Sequence, residues 1–217
     1  MADVNSNTET QTVSKFLEIE RQTGLVLLHL VSDDGTNRLS RACVGALRAV
    51  IEDLALSPQP LIITGNQKFF SAGADLNEIV ALGSDAFEFA RIGQRLMRSI
   101  DDFPAPVGAA VYGYCMGGGL DLALACDFRV AHPHTVFGHR GAALGLITGW
   151  GGTQRLPRLV GRAKALEMFV AAEKINANRA LEMGLVDRIS DNPIEDAMRL
   201  VSPAATASSD STSPPLP

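Results

Sequence analysis

The sequence predicts an α/β fold in which helices link parallel strands, and three observations carry that expectation. Short apolar runs that suit buried strands, at residues 60–64 and 106–111, alternate with longer stretches of helical spacing. Strand and helix then repeat in that order through residue 131. The composition, 46% apolar and 20% charged over 217 residues, is that of one globular domain able to bury a core.

Taken in order, residues 1–14 are polar and are expected to be disordered. Residues 16–19 and 25–31, separated by the turn-like Arg21-Gln22-Thr23-Gly24, read as a hairpin. Ser40 stands at a helix N-cap, followed by Cys43, Leu47, Val50, Ile51 and Leu54 at helical spacing, and Pro58 closes that helix. After the strand at 60–64 and a loop at 65–73, residues 76–82 form a short helix. Ser84 is expected to cap a longer helix whose apolar positions are Phe87, Ala90, Ile92, Leu96, Met97 and Ile100. The strand at 106–111 leads through three glycines, Gly117 to Gly119, into a helix at 120–126 and a strand at 128–131. Residues 163–189 carry helical segments and one strand at 185–189. The folded domain is thus expected over 15–200, and the tail at 201–217, with five Ser and four Pro, cannot bury a core.

The charge balance of −5 gives no basic footprint for nucleic acid. The weakly charged run at 105–126 has the length of a membrane span, but its proline, its glycines and its change of period argue against one. Three cysteines in apolar contexts, with no CxxC pair and no secretory signal in the first residues, fit reduced core positions and a cytoplasmic protein. The glycine runs do not fit the dinucleotide fingerprint, because Leu122 and Gln154 stand where the last glycines belong, and the P-loop ending Gly-Lys-Ser/Thr is absent. His132, His134 and His139 have no cysteine or carboxylate at ligand spacing, so they read as surface-loop residues and no metal site is expected. Ser71 has no nucleophile-elbow motif.

Two similar junctions remain. Each follows an apolar strand and offers small residues before a helix: Phe70-Ser71-Ala72-Gly73-Ala74-Asp75-Leu76, and Met116-Gly117-Gly118-Gly119. Such residues either allow a tight turn and close packing, or expose backbone N–H groups that converge on a ligand oxygen. Asp121 likewise is either an acid favoured by the helix dipole or a group with chemistry to do.

The stretches FFSAGADL, YCMGGGLDLALACDFRVA and GLITGWGGTQRLPRLVGRAKALEM resemble the three signature blocks of the enoyl-CoA hydratase/isomerase, or crotonase, family. TNRLS at 36–40 and EMGLVDRI at 182–189 add to the resemblance, which runs from about residue 16 to 195. It implies a spiral of ββα units, assembly as a homotrimer or hexamer, acyl-CoA thioester substrates and no cofactor beyond the coenzyme A of the substrate. By position, the amides of Ala74 and Gly118 match the family's oxyanion pair and Asp121 its first catalytic acid. Ala72, Asp75, Leu76 and Gly117 fall along the acyl-CoA path, and Lys68 and Arg38 stand by charge and position near the CoA phosphates, with a solvated surface role as the alternative. The family's second acid falls at Gly141, and the later acid of its dienoyl isomerase branch falls at Gly149. His139 and Glu78 are the candidate helpers of Asp121. The implied activity is enoyl-CoA hydration, with isomerisation, decarboxylation, thioester hydrolysis or silent acyl-CoA binding as alternatives. The Ser/Pro tail stands where family members continue with helices, so a truncated C-terminal helical region and a weaker assembly are expected.

Overall fold

The computed structural model describes residues 9–201. The chain begins with three strands, β1 (Glu9–Ser14), β2 (Leu17–Gln22) and β3 (Leu25–Leu30), and continues through β4 (Arg38–Leu39), α1 (Arg41–Leu54) and β5 (Leu61–Thr64). The first junction holds β6 (Phe69–Ser71), β7 (Gly73–Ala74) and α2 (Leu76–Leu82), after which α3 (Ala86–Asp101) crosses to β8 (Val107–Val111). The second junction holds β9 (Tyr114–Met116) and α4 (Gly118–Ala125), followed by β10 (Phe128–Ala131) and β11 (Val136–Gly138). The rest is α5 (Gly152–Val160), α6 (Arg162–Ala171), β12 (Ile175–Asn176), α7 (Ala177–Met183), β13 (Arg188–Ile189) and α8 (Pro193–Val201).

A seven-stranded sheet runs β1-β2-β3-β5-β8-β10-β13. Its first two pairs are antiparallel and all later pairs are parallel, with Leu28 opposite Ile63 and Ile63 opposite Ala109. A four-stranded sheet, β12-β11-β9-β6, and the small β4–β7 pair accompany it. This is the expected α/β architecture, and the hairpin, α1, β5, α2, β8, α4 and β10 lie within a few residues of their predicted places. Ser40 caps α1 as expected, its Oγ accepting from the Cys43 N–H.

One face of the large sheet packs on α1, α3 and α4 through Leu28, Leu47, Ile51, Ile63, Leu96 and Ala109, all buried. The other face is covered by α8, whose Ala197 and Val201 meet Leu27, Ile62, Ala110 and Val130. Both faces being covered explains why β5 and β8 read as unbroken apolar runs. Each leucine or isoleucine so placed contributes roughly 1.5–3 kcal/mol by burial. The cysteines Cys43, Cys115 and Cys126 are free and buried, as expected.

Several expectations are corrected. Residues 9–14, expected to be disordered, form β1, paired antiparallel with β2 at the sheet edge; residues 1–8 and 202–217, and with them most of both predicted tails, lie outside the described residues. A turn of 3₁₀ helix at Gly83–Asp85 precedes α3, so Asp85, and not Ser84, holds the cap position, with no side-chain cap bond. Phe87 lies on the solvent face of α3, 73% exposed. Among the described residues, no helix is long and apolar enough to cross a membrane.

Candidate functional site

The two junctions leave the carboxyl ends of β5 and β8, the usual place for a ligand in a parallel sheet. They meet each other closely. A Cβ at Gly73 (φ +94°) would lie 2.5 Å from the Met116 carbonyl oxygen and 3.0 Å from the Gly118 nitrogen. Gly117, at φ +51°, makes the turn into α4, a backbone shape that side chains resist. At Gly118 a Cβ would lie 2.5 Å from the Trp150 ring and 3.2 Å from the Ala74 nitrogen, so the bare backbone keeps the two amides near each other. Gly119 serves packing: a Cβ there would lie 2.7 Å from the Ser71 side chain. The two uses of glycine left open by the sequence are thus divided among neighbours.

Ser71 is structural: it is buried, its Oγ donates to the Asn37 carbonyl and accepts from the Gly73 N–H. Asn37 is buried in turn, and its Nδ2 donates to the carbonyl of Phe69 at 3.0 Å and to that of Phe70 at 3.2 Å. These bonds tie the segment before α1 to the first junction.

A cavity of about 280 Å³ opens beside the junctions, walled by Ala72, Ala74, Leu76, Gly117, Gly118, Asp121 and Gly141 among the predicted residues. Asp75 is not in its wall; its carboxylate caps α2 by accepting from the Asn77 and Glu78 N–H groups. Lys68 and Arg38 are also absent from the wall, Arg38 being paired with Asp34 at 2.9 Å on the surface. Glu78 accepts from the Arg41 N–H at 2.7 Å, at the start of α1, and does not reach the cavity.

Asp121 owes its place to α4, which is apolar on every side and is buried from Gly119 to Ala125. Its carboxylate is 2% exposed, and Thr148 donates its hydroxyl to Oδ2. Burial pushes its pKa up to about 7, against the Thr148 hydroxyl, the Arg155 guanidinium and the Trp150 backbone N–H, which favour the charged form. The Gly152 backbone passes so close to Oδ1 that a Cβ there would collide with it.

His139, expected on the surface, is instead 4% exposed and stands at the end of β11 beside Asp121. Its Nε2 lies 3.4 Å from Asp121 Oδ1, not aligned as a hydrogen bond, and its ring packs on Phe169 of α6 at 5.3 Å. Burial pushes the imidazole down to about 4, so near neutral pH it is uncharged. His132 is half-buried against Tyr112 and His134 is exposed, as expected. Among the described residues, no group of three or more His, Cys, Asp or Glu could hold a metal ion.

Sequence reasoning did not single out Thr148 and Trp150, although both lie in the quoted block GLITGWGG. Trp150 is the hub: its ring fills space left by Gly118 and Gly93 and meets Phe89 edge-on at 5.3 Å. Around the cavity mouth, Leu144, Leu146 and Ile147 are exposed apolar residues on the loop after Gly141.

The pattern of the enoyl-CoA hydratase/isomerase family matches residues 20–209. A probable enoyl-CoA hydratase of Bacillus subtilis is 48% identical over 128 residues, 58% of this chain and 50% of that protein. Crotonyl-CoA hydratase of Syntrophomonas wolfei is 40% identical over 177 residues, 79% of this chain and 67% of that protein. The match therefore spans half to two-thirds of the length of these curated relatives. Among solved structures, an enoyl-CoA hydratase from Geobacillus kaustophilus superposes with a TM-score of 0.85 at 30% identity, covering 93% of this chain and 80% of that one. Pseudomonas aeruginosa DspI superposes with a TM-score of 0.83 at 36% identity, covering 88% of this chain and 75% of that one. With the sequence pattern matched over most of its length and the fold shared, the chain belongs to the enoyl-CoA hydratase/isomerase family.

Proposed function

We propose that this chain is an acyl-CoA enzyme that adds water across the double bond of 2-enoyl-CoA thioesters. The observation that carries the reading is a buried carboxylate, Asp121, walling the same small cavity as the neighbouring amides of Ala74 and Gly118. In this reading the thioester carbonyl oxygen accepts hydrogen bonds from both amides, which stabilise the enolate formed when oxygen adds at C3. One such donor contributes about 2.7–4 kcal/mol to the transition state. Asp121, with a pKa near 7, is suited to move a proton at the reacting carbons. Thr148 fixes the direction of its carboxylate. Coenzyme A arrives as part of the substrate and no other cofactor is required. We further propose a cytoplasmic protein assembled as a homotrimer or hexamer.

Gly141 favours a second reading, because no side chain there can act as a second acid. The chemistry would then be isomerisation, decarboxylation or thioester hydrolysis, or the chain would bind acyl-CoA without turnover. Incubation with crotonyl-CoA and mass analysis of the products separates these. The expected product is 3-hydroxybutyryl-CoA, and Asp121→Asn is expected to lower turnover by about 10²–10⁴-fold. Crotonyl-CoA that is bound but recovered unchanged would overturn the hydratase reading.

A further inference from the structure

Asp121 and His139 come from different elements, α4 and the end of β11, and the fold sets them side by side in the cavity wall. Their facing atoms, Oδ1 and Nε2, are 3.4 Å apart, both are buried, and neither makes a hydrogen bond within the described residues. Buried polar atoms are rarely left so, and two of them meeting at a ligand-sized cavity point to a role toward what binds there. Oδ2, in contrast, is held by Thr148, which leaves Oδ1, packed beside the Gly152 backbone, as the carboxylate oxygen without a hydrogen bond.

Building on the acyl-CoA reading, we infer that His139 is the second acid/base group of this site and works with Asp121 as one proton-sharing pair. The surroundings favour a single proton on the pair near neutral pH. Burial raises Asp121 and lowers His139, so that proton rests on the carboxyl group. The other ionisable groups near the pair are Arg155, whose charge favours ionised Asp121, Cys115, whose thiol is pushed up chiefly by burial and also by the Asp121 charge, and Arg140 at the cavity wall; α6 contributes the apolar Phe169 ring.

The step balances without any other reactant. Neutral His139 takes one proton from water as the water oxygen bonds C3, and the π electrons move onto the thioester carbonyl oxygen. Asp121 then gives its proton to C2 as the enolate collapses. The proton on His139 passes to Asp121 across the short gap and restores the starting pair. The net change is one water added: its hydroxyl group is on C3, and its remaining proton, taken up by His139, replaces the one that Asp121 gave to C2.

Kinetics of wild type, His139→Gln and His139→Ala on crotonyl-CoA test this, with imidazole added to His139→Ala. The expected result is a loss of kcat of about 10²–10⁴-fold in both variants with KM within about threefold. Turnover of His139→Ala should rise with imidazole concentration. In wild type, the pH profile of kcat/KM should be bell-shaped, and His139→Gln should lose its acid limb while keeping its alkaline limb. A measurement that needs no His139 variant is the NMR shift of the His139 ring against pH. It should show a step near neutral pH in wild type that disappears in Asp121→Asn, which a purely structural histidine would not show. Turnover of His139→Gln within about threefold of wild type, or a wild-type ring with no such step, overturns the pair and leaves the acyl-CoA reading standing. Wild type that hydrates no enoyl-CoA overturns both.

Discussion

Asp121 behaves as its burial dictates, and its chemistry should be visible in stability as well as in turnover. Its folded pKa, about 7, lies above the ordinary value of 3.8, so between those pH values the native state holds a proton that the unfolded state has lost. Its contribution to stability therefore falls as pH rises through that window and is level above it. His139 runs the other way: with a folded value of about 4 against 6.5, the unfolded state takes the proton first on acidification, and stability is lost as pH falls from 6.5 to 4. The two slopes oppose each other in wild type. Asp121→Asn removes only the first, so relative to wild type this variant should gain stability between pH 4 and pH 8. At about 1.36 kcal/mol per pH unit, the gain is on the order of 4 kcal/mol. Urea unfolding of both proteins at the two pH values measures it, and a difference that stays constant with pH would mean that Asp121 is charged throughout.

At the level of elements, Trp150 couples α3 to the site. A Cβ at Gly93 would collide with its indole, while Trp150 in turn limits Gly118 and its backbone N–H favours the charged Asp121. Gly93→Ala should therefore cost about 1–3 kcal/mol by overpacking and lower turnover with it. Gly45→Ala on α1, where nothing lies within 4 Å of the added Cβ, should instead stabilise by about 0.5–1 kcal/mol. Thermal melts of the two variants make the comparison, and equal effects would rule out the indole contact as the cause. The same contrast explains what the sequence could convey. Ser40 and the apolar runs of β5 and β8 were legible because a cap and a doubly covered strand each write a local pattern. The strand β1 was not, because Glu9 to Ser14 is mostly polar and its partner, β2, lies beyond a turn. Phe87 has the right spacing for a core position, but α3 begins after a 3₁₀ turn and presents it outward. His139 sits among residues that read as a surface loop; its burial comes from α4 and from Phe169 on α6, both distant in sequence. At Gly141 the sequence reported a missing acid but not the reason a side chain is excluded: a Cβ there would lie 2.5 Å from the Leu146 carbonyl oxygen. An acid could be restored at that position only if the loop moved.

For the molecule as a whole, the site is a meeting of three segments that lie apart in sequence and follow neighbouring strands. Ala74 follows β5 and is tied through Leu39 to the segment before α1; Gly118 follows β8; Gly141, Thr148 and Trp150 come from the stretch between β11 and α5. A ligand that touches all three adds contacts to segments already joined by the β6–β9 and β9–β11 strand pairs, and in the proposed complex it binds the native chain alone. Saturation should then raise global stability by mass action, about 2.7 kcal/mol at a hundredfold excess over Kd. For a chain of this size that corresponds to a rise in Tm of roughly 5–10 °C. Butyryl-CoA, which has no double bond to hydrate, is the suitable probe in a thermal shift measurement. Asp121→Asn should keep the rise, because in the proposed complex the carbonyl is held by backbone amides. Gly118→Ala should lose most of it, since its Cβ meets both the Trp150 ring and the Ala74 nitrogen. A Tm that does not move with butyryl-CoA would mean that the native chain does not bind acyl-CoA and would overturn the acyl-CoA reading, whereas a rise abolished by Asp121→Asn and kept by Gly118→Ala would transfer the anchoring role from the amides to the carboxylate.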